Sequence, residues 1–228
     1  MSADLEILRK TLPEILSSDQ LVGNKIRSWW NDVTNHAPCN LPDHQLTRKA
    51  LKELCRKDSG YEDIECLAAV MAWGGQNRRH AKILFQRFDD EVKPIISNMR
   101  QEKISFIEAY KDFDEVWKKP ERLGMGAAYF TKLIFFCEPS HKGYIMDQWT
   151  SKSINLIAQK SIVDLQYGYV SKKNNVDNYK NFCQLMEDIA RELNISGEIA
   201  ERAMFSKGGW KKAAWRAHVL AKYNGNER

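Results

Sequence analysis

The sequence predicts an all-α fold, and three observations predict it. Apolar residues recur every three to four positions along nearly the whole chain, the period of a helix with one buried face. The interruptions fall on residues that end helices: Gly60, Gly74-Gly75, Pro120, Pro139, Gly143, Lys172-Lys173-Asn174-Asn175 and Gly208-Gly209. No two alternating stretches are joined by a recognisable hairpin turn.

The elements follow in order. Residues 3–17 are an amphipathic helix, bent or restarted near Pro13. A second helix runs over 20–33 and ends in Trp29-Trp30, and Asn35 to Pro42 is a loop. Helical patterns continue at about 43–57, 61–73, 76–99, 104–118, 127–137, 148–159, 176–194, 196–206 and 210–223. Residues 162–171 have the alternation of an extended strand, but one isolated strand has nothing to pair with. Nothing marks a domain boundary, so residues 1–228 read as a single domain. Two lobes are the alternative, one around 60–160 and the other built from both termini.

Of 228 residues, 43% are hydrophobic, enough to bury a sizeable core. The formal net charge is +5, which permits nucleic-acid binding. Residues 201–228 carry that whole surplus: Arg202, Lys207, Lys211, Lys212, Arg216, Lys222 and Arg228 against Glu201 and Glu227. This basic stretch reads as a solvated helix face or as a track for a phosphate backbone, with Lys207, Lys211 and Lys212 as the track. Cys39, Cys55, Cys66, Cys137 and Cys183 are odd in number and form no C-x-x-C pair. That argues against a disulfide framework and against a zinc or iron–sulfur site, and points to reduced core cysteines in the cytoplasm. The five histidines show no ligand spacing, so no metal and no cofactor are expected. No run approaches the length of a membrane span, and Met1-Ser-Ala-Asp-Leu-Glu lacks the pattern of a secretory signal.

The most informative stretch is Leu123-Gly124-Met125-Gly126. Two glycines two apart let a backbone turn sharply between helices and approach a phosphate closely. Ile104 to Trp117 is the helix before this hairpin, with its apolar stripe at 104, 106/107, 110, 113 and 116/117. Ala127 to Cys137 is the helix after it, apolar on most sides. Within the loop segment 138–150 that follows the helix-hairpin-helix stretch 104–137, Asp147 stands where it would cap the next helix, a position where the helix dipole and amide donors favour negative charge. By itself the G-x-G turn is an ordinary helix–helix connection, and the Asp an ordinary cap.

Taken together, helix, G-x-G hairpin, helix and following Asp over residues 104–150 resemble the helix-hairpin-helix superfamily of DNA glycosylases. The resemblance is nearest to its 8-oxoguanine-glycosylase-like branch and covers roughly residues 60–160. That branch pairs an L-P-G-x-G hairpin with a catalytic Asp one helix and one loop later. Gly124 and Gly126 match its glycines, and Asp147 follows Gly126 by 21 residues, a spacing the branch shares. Leu123 stands where the hairpin usually has Pro. Lyase-competent members place a nucleophilic Lys two residues after the second Gly, which here is Ala128. Lys132, one turn further on the same face, is either a displaced catalytic residue or a snorkelling or phosphate-contacting one.

The resemblance implies a monofunctional enzyme that extrudes a modified base from double-stranded DNA and hydrolyses its glycosidic bond. Asp147 would stabilise the oxocarbenium-like sugar and orient water. Gln76, Asn77 and Arg78 would fill the gap left by the base, or are simply a solvated helix start. Trp73, Tyr129 and Trp149 would stack on the extruded base, or are core aromatics. The amides of Gly124, Met125 and Gly126 would anchor a phosphate. Some bacterial members of this type act in phage defence on glucosylated hydroxymethylcytosine, and oxidised guanine is the other substrate implied. The alternatives are a glycosylase with lyase activity and a DNA-binding module without chemistry. A monomer without membrane contact is expected.

Overall fold

Caps and breakers divide the chain into short helices. In the computed structural model, residues 3–17, 23–34, 40–206 and 213–225 are described. They fall into two compact units, one comprising Gln20–Ile145 and the other Met1–Asp19 with Met146–Arg228.

The unit of residues 20–145 holds α2 (Ile26–Val33), α3 (Arg48–Cys55), α4 (Asp63–Trp73), α5 (Arg78–Gln86), α6 (Lys93–Arg100), α7 (Phe106–Lys118) and α8 (Ala127–Cys137). Two of these are apolar around most of their circumference and form the core, as such composition requires. In α4 every residue from Cys66 to Ala72 is buried, and in α8 so is every residue from Phe130 to Cys137. α8 packs on α3, α4, α6 and α7. Phe130 gathers the rings of α7, stacked on Phe113 at 5.5 Å and edge-on to Tyr110 at 5.2 Å. Capping boxes start α4 (Glu62 with Glu65) and α7 (Ser105 with Glu108).

Buried Arg100 ties this unit together. It donates to the carbonyls of Cys55, Arg56 and Tyr61 at 3.0, 2.8 and 2.8 Å and pairs with Asp63 at 2.5 Å. Orphan carbonyls past the end of α3 thereby find donors. The single helix expected over 76–99 is divided: a π turn, Phe88–Val92, separates α5 from α6, and Pro94 lies in the first turn of α6.

The other unit holds α1 (Ala3–Ser17), α9 (Gln148–Ala158), α10 (Val176–Leu193), α11 (Gly197–Phe205) and α12 (Ala214–Gly225). α1 runs through Pro13 as one element. α11 touches α1, α9, α10 and α12. Buried Trp215 donates to Ser153 Oγ at 2.9 Å, and that hydroxyl donates to the Met204 carbonyl at 3.1 Å. His218 meets Asp4 at 2.7 Å, joining α12 to α1.

One expectation is overturned here. Residues 162–171 are not a lone extended strand. Leu165–Gln166 (β1) pairs antiparallel with Tyr169–Val170 (β2), so the segment folds back on itself. The turn residues Tyr167 and Gly168 both have positive φ, 51° and 78°, the requirement of a two-residue type I′ turn. Tyr-Gly is not among the turn pairs that usually signal it.

Candidate functional site

The G-x-G turn belongs to the unit of residues 20–145. Gly124 has φ +81°, which favours glycine. A Cβ there would lie 2.3 Å from the His80 carbonyl oxygen and 2.9 Å from the Leu84 amide, so the turn is pressed against the backbone of α5. Gly126 abuts the Trp117 ring, which a Cβ would meet at 3.2 Å. Leu123 and Met125 are buried and anchor the turn from within. Among the described residues the amides of Gly124, Met125 and Gly126 find no acceptor.

Gln76 holds this turn. It is buried, its Nε2 donates to the Gly124 carbonyl at 2.6 Å, and its own carbonyl accepts from Trp29 Nε1 at 3.1 Å. As a gap filler it is corrected: its amide is spent inside the protein. Asn77 and Arg78 are exposed. Asn77 caps α5 through the Arg79 amide at 2.9 Å, and Arg78 pairs with Asp32 at 2.5 Å.

Lys132 projects back along α8, the direction a helix imposes on long side chains. Its Nζ donates to the Ala128 carbonyl at 2.7 Å and lies 4.9 Å from the Tyr129 ring centroid. Its stem passes Gly74, where a Cβ would come within 2.9 Å of Cδ. Trp73, the residue before Gly74, meets Phe136 edge-on at 5.0 Å and Arg48 at 5.7 Å, and its buried Nε1 has no partner.

Asp147 belongs to the other unit, where it caps α9. Its Oδ1 accepts from the amides of Trp149 at 2.8 Å and Thr150 at 3.0 Å, and Thr150 Oγ1 accepts from the Asp147 amide at 3.0 Å. The side chain is 6% exposed, and the capping bonds use Oδ1 alone. Trp149 is not an open stacking face: the Arg216 guanidinium lies 3.7 Å from its ring centroid and Lys152 Nζ lies 5.0 Å away.

Arg216 is the residue that sequence reading missed. It is buried in α12, donates to the carbonyls of Phe205 and Ser206, and leaves Nε without a partner. Burial pushes its guanidinium down to about 10, and nearby Asp147 pulls it back up. Its only signal was apolar company, with Trp215 and Val219 beside it on the helix. Lys207, Lys211 and Lys212 lie outside the described residues. Among those described, no group of three or more His, Cys, Asp or Glu is placed to hold a metal, and no helix is long and apolar enough to cross a membrane.

Against known proteins, residues 20–205 match the family model described as "Putative 8-oxoguanine DNA glycosylase OGG-like protein". The chain belongs to this OGG-like family. Its match takes in the G-x-G turn, Lys132 and Asp147, and stops short of Arg216. OGG-like membership carries a DNA glycosylase type of function and an affinity for DNA. No curated protein and no solved structure matches the chain.

Proposed function

We propose that this OGG-like protein is a monofunctional DNA N-glycosylase that extrudes a modified base from duplex DNA and leaves an abasic site. The observation that carries the reading is Asp147: a carboxylate at a helix N-terminus, fixed through Oδ1 by two amides at 2.8 and 3.0 Å, with Oδ2 outside the capping set. Cleavage of the glycosidic bond builds positive charge on the sugar ring. A preorganised carboxylate stabilises that charge and orients the water that adds to C1′. The three amides of Gly124 to Gly126 hold a backbone phosphate, while Asn77 and Arg78 face the gap in the duplex. Tyr129 and Trp73 are the aromatic surfaces offered to the base, and Lys132 contributes charge beside Tyr129.

Loss of the lyase step is supported by Ala128 at the position where the resemblance asks for lysine, and by an amine at Lys132 already donating to a carbonyl. Glucosylated hydroxymethylcytosine of phage DNA is the substrate we favour, because an abasic site alone damages a phage genome; 8-oxoguanine is the runner-up. Cys55, Cys66, Cys137 and Cys183, all buried as in a core of reduced thiols, suit a reducing compartment, and we read the enzyme as a cytoplasmic monomer. The experiment is a panel of duplexes carrying modified cytosines and 8-oxoguanine, incubated with the protein and then with alkali. Strand breaks that need alkali support the reading; a panel left intact supports a DNA-binding module instead.

A second reading has one observation in its favour. Lys132 Nζ ends at the carbonyl of Ala128, close to where the resemblance places the nucleophile. Borohydride would then trap a protein–DNA adduct that Lys132→Ala abolishes.

A further inference from the structure

The β1–β2 hairpin has no part in the site described above, yet its build is unusual. Tyr167 is 91% exposed and Tyr169 64%, and these are the exposed large hydrophobic side chains among the described residues. Tyr167 also occupies a left-handed backbone conformation, φ 51°, which non-glycine residues adopt at a cost. Asn, Asp or Gly would take that turn position with less strain. A strained, solvent-facing tyrosine gains nothing from the interior that would offset the strain.

The hairpin is nevertheless held firmly at its base. Asn155 Oδ1 accepts from the amides of Ile162 at 2.9 Å and Val163 at 3.0 Å, and its Nδ2 donates to the Val163 carbonyl at 2.8 Å. Fully buried Asn174 accepts from the Asp164 amide at 2.8 Å and donates to the carbonyls of Asp164 and Ser171, both at 2.9 Å. Buried polar networks of this kind fix one geometry. Two aromatic rings are thus presented to solvent on a braced support.

The surrounding charge indicates the partner. Lys152 Nζ lies 3.3 Å from where a Cβ on Gly168 would be, so an ammonium sits beside the turn. Lys160, Lys172 and Lys173 are exposed on the strands' flanks. The one carboxylate within residues 160–175, Asp164, accepts from the Ser171 hydroxyl. Aromatic faces interleaved with cations are how proteins hold a nucleic-acid strand whose bases are unstacked: rings stack on bases and ammonium groups meet phosphates.

We propose that the Leu165–Val170 hairpin is a second DNA-contacting element, which binds unstacked bases of a distorted or single strand through Tyr167 and Tyr169, with Lys152, Lys172 and Lys173 on the flanking phosphates. This rests on the reading of the protein as a DNA enzyme, but not on Asp147.

The test is fluorescence anisotropy with a labelled 20-nucleotide single strand and the same strand in a duplex with a central three-base bulge. Both side chains of interest are exposed, so the variants fold, which circular dichroism verifies. The Y167A/Y169A double variant should bind each probe at least tenfold more weakly, and Y167F/Y169F should bind like the wild type, because stacking needs the ring. K172A/K173A should reduce the salt dependence of binding by about one to two counterions. Equal affinity of Y167A/Y169A and wild type, within twofold on both probes, overturns the proposal and leaves the hairpin to a protein partner. Asp147→Asn distinguishes the two readings: base release that survives it refutes the catalytic assignment, while the tyrosine result stands or falls by binding alone.

Discussion

Two of the turns that place residues in the left-handed region are opposite in use. Gly124 turns inward: its φ is +81°, a Cβ would strike the His80 carbonyl at 2.3 Å, and Gln76 bolts the turn at 2.6 Å. Tyr167 and Gly168 turn outward, with Tyr167 91% exposed and only the mobile end of Lys152 near Gly168. The first turn is glycine because the backbone must pass another backbone. The second carries tyrosine although glycine would be easier, which shifts its explanation from packing to contact with a partner. Backbone conformation alone does not separate a structural turn from a functional one; what surrounds it does.

Substitutions sharpen that contrast. Gly124→Ala should have the largest effect, because left-handed strain of about 1–3 kcal/mol adds to a clash with backbone that cannot move aside. A fall in stability of roughly 3 kcal/mol or more is expected by urea denaturation, and a loss below 1 kcal/mol would break the comparison. Gln76→Leu comes next. It leaves the Gly124 carbonyl without its donor inside the protein, a loss of about 1–3 kcal/mol by the same measurement. Gly168→Ala should cost about 1 kcal/mol, since the nearest atom is the end of a lysine that swings away. Tyr167→Gly should change stability least and in the opposite direction, by about 0.5–1 kcal/mol toward greater stability, while weakening DNA binding.

The two cations on Trp149 repeat the contrast between buried and exposed. Arg216 is buried and its guanidinium is pushed down to about 10, whereas Lys152 is half-exposed. A base whose folded value lies below its unfolded one binds its proton more weakly in the fold. The charged group therefore costs stability at neutral pH, and the cost fades as pH rises from about 10 toward the ordinary guanidinium value. Arg216→Met should remove that rise, seen as a flatter stability difference above pH 10, and should impair base release through loss of the charge beside Asp147. Lys152→Met should leave the stability difference above pH 10 nearly unchanged.

Much of this was legible in the sequence, and the failures have physical causes. Helix α8 was bounded at 127 and 137 because Gly126 and Glu138-Pro139 interrupt a continuous apolar run. Asp147 announced its cap through its place before a helical period. The π turn at Phe88–Val92 stayed hidden because the apolar period continues across it, and one extra residue in a turn leaves no compositional mark. The hairpin was missed because Tyr-Gly lacks the Asn or Asp that usually marks such turns. Nothing local marks Gln76 as buried: polar residues usually face solvent, and its burial depends on a carbonyl 48 residues away. Arg216 looks like surface charge in the sequence for the same reason: its neighbours Trp149 and Asp147 are remote along the chain.

The most direct measurement is base release by Asp147→Asn on the substrate that the duplex panel identifies. Asparagine caps a helix about as well as aspartate, so the variant keeps α9 and its binding of DNA. Release should fall by roughly 10²–10⁴-fold with affinity unchanged. Release within threefold of wild type, at equal affinity, would contradict it.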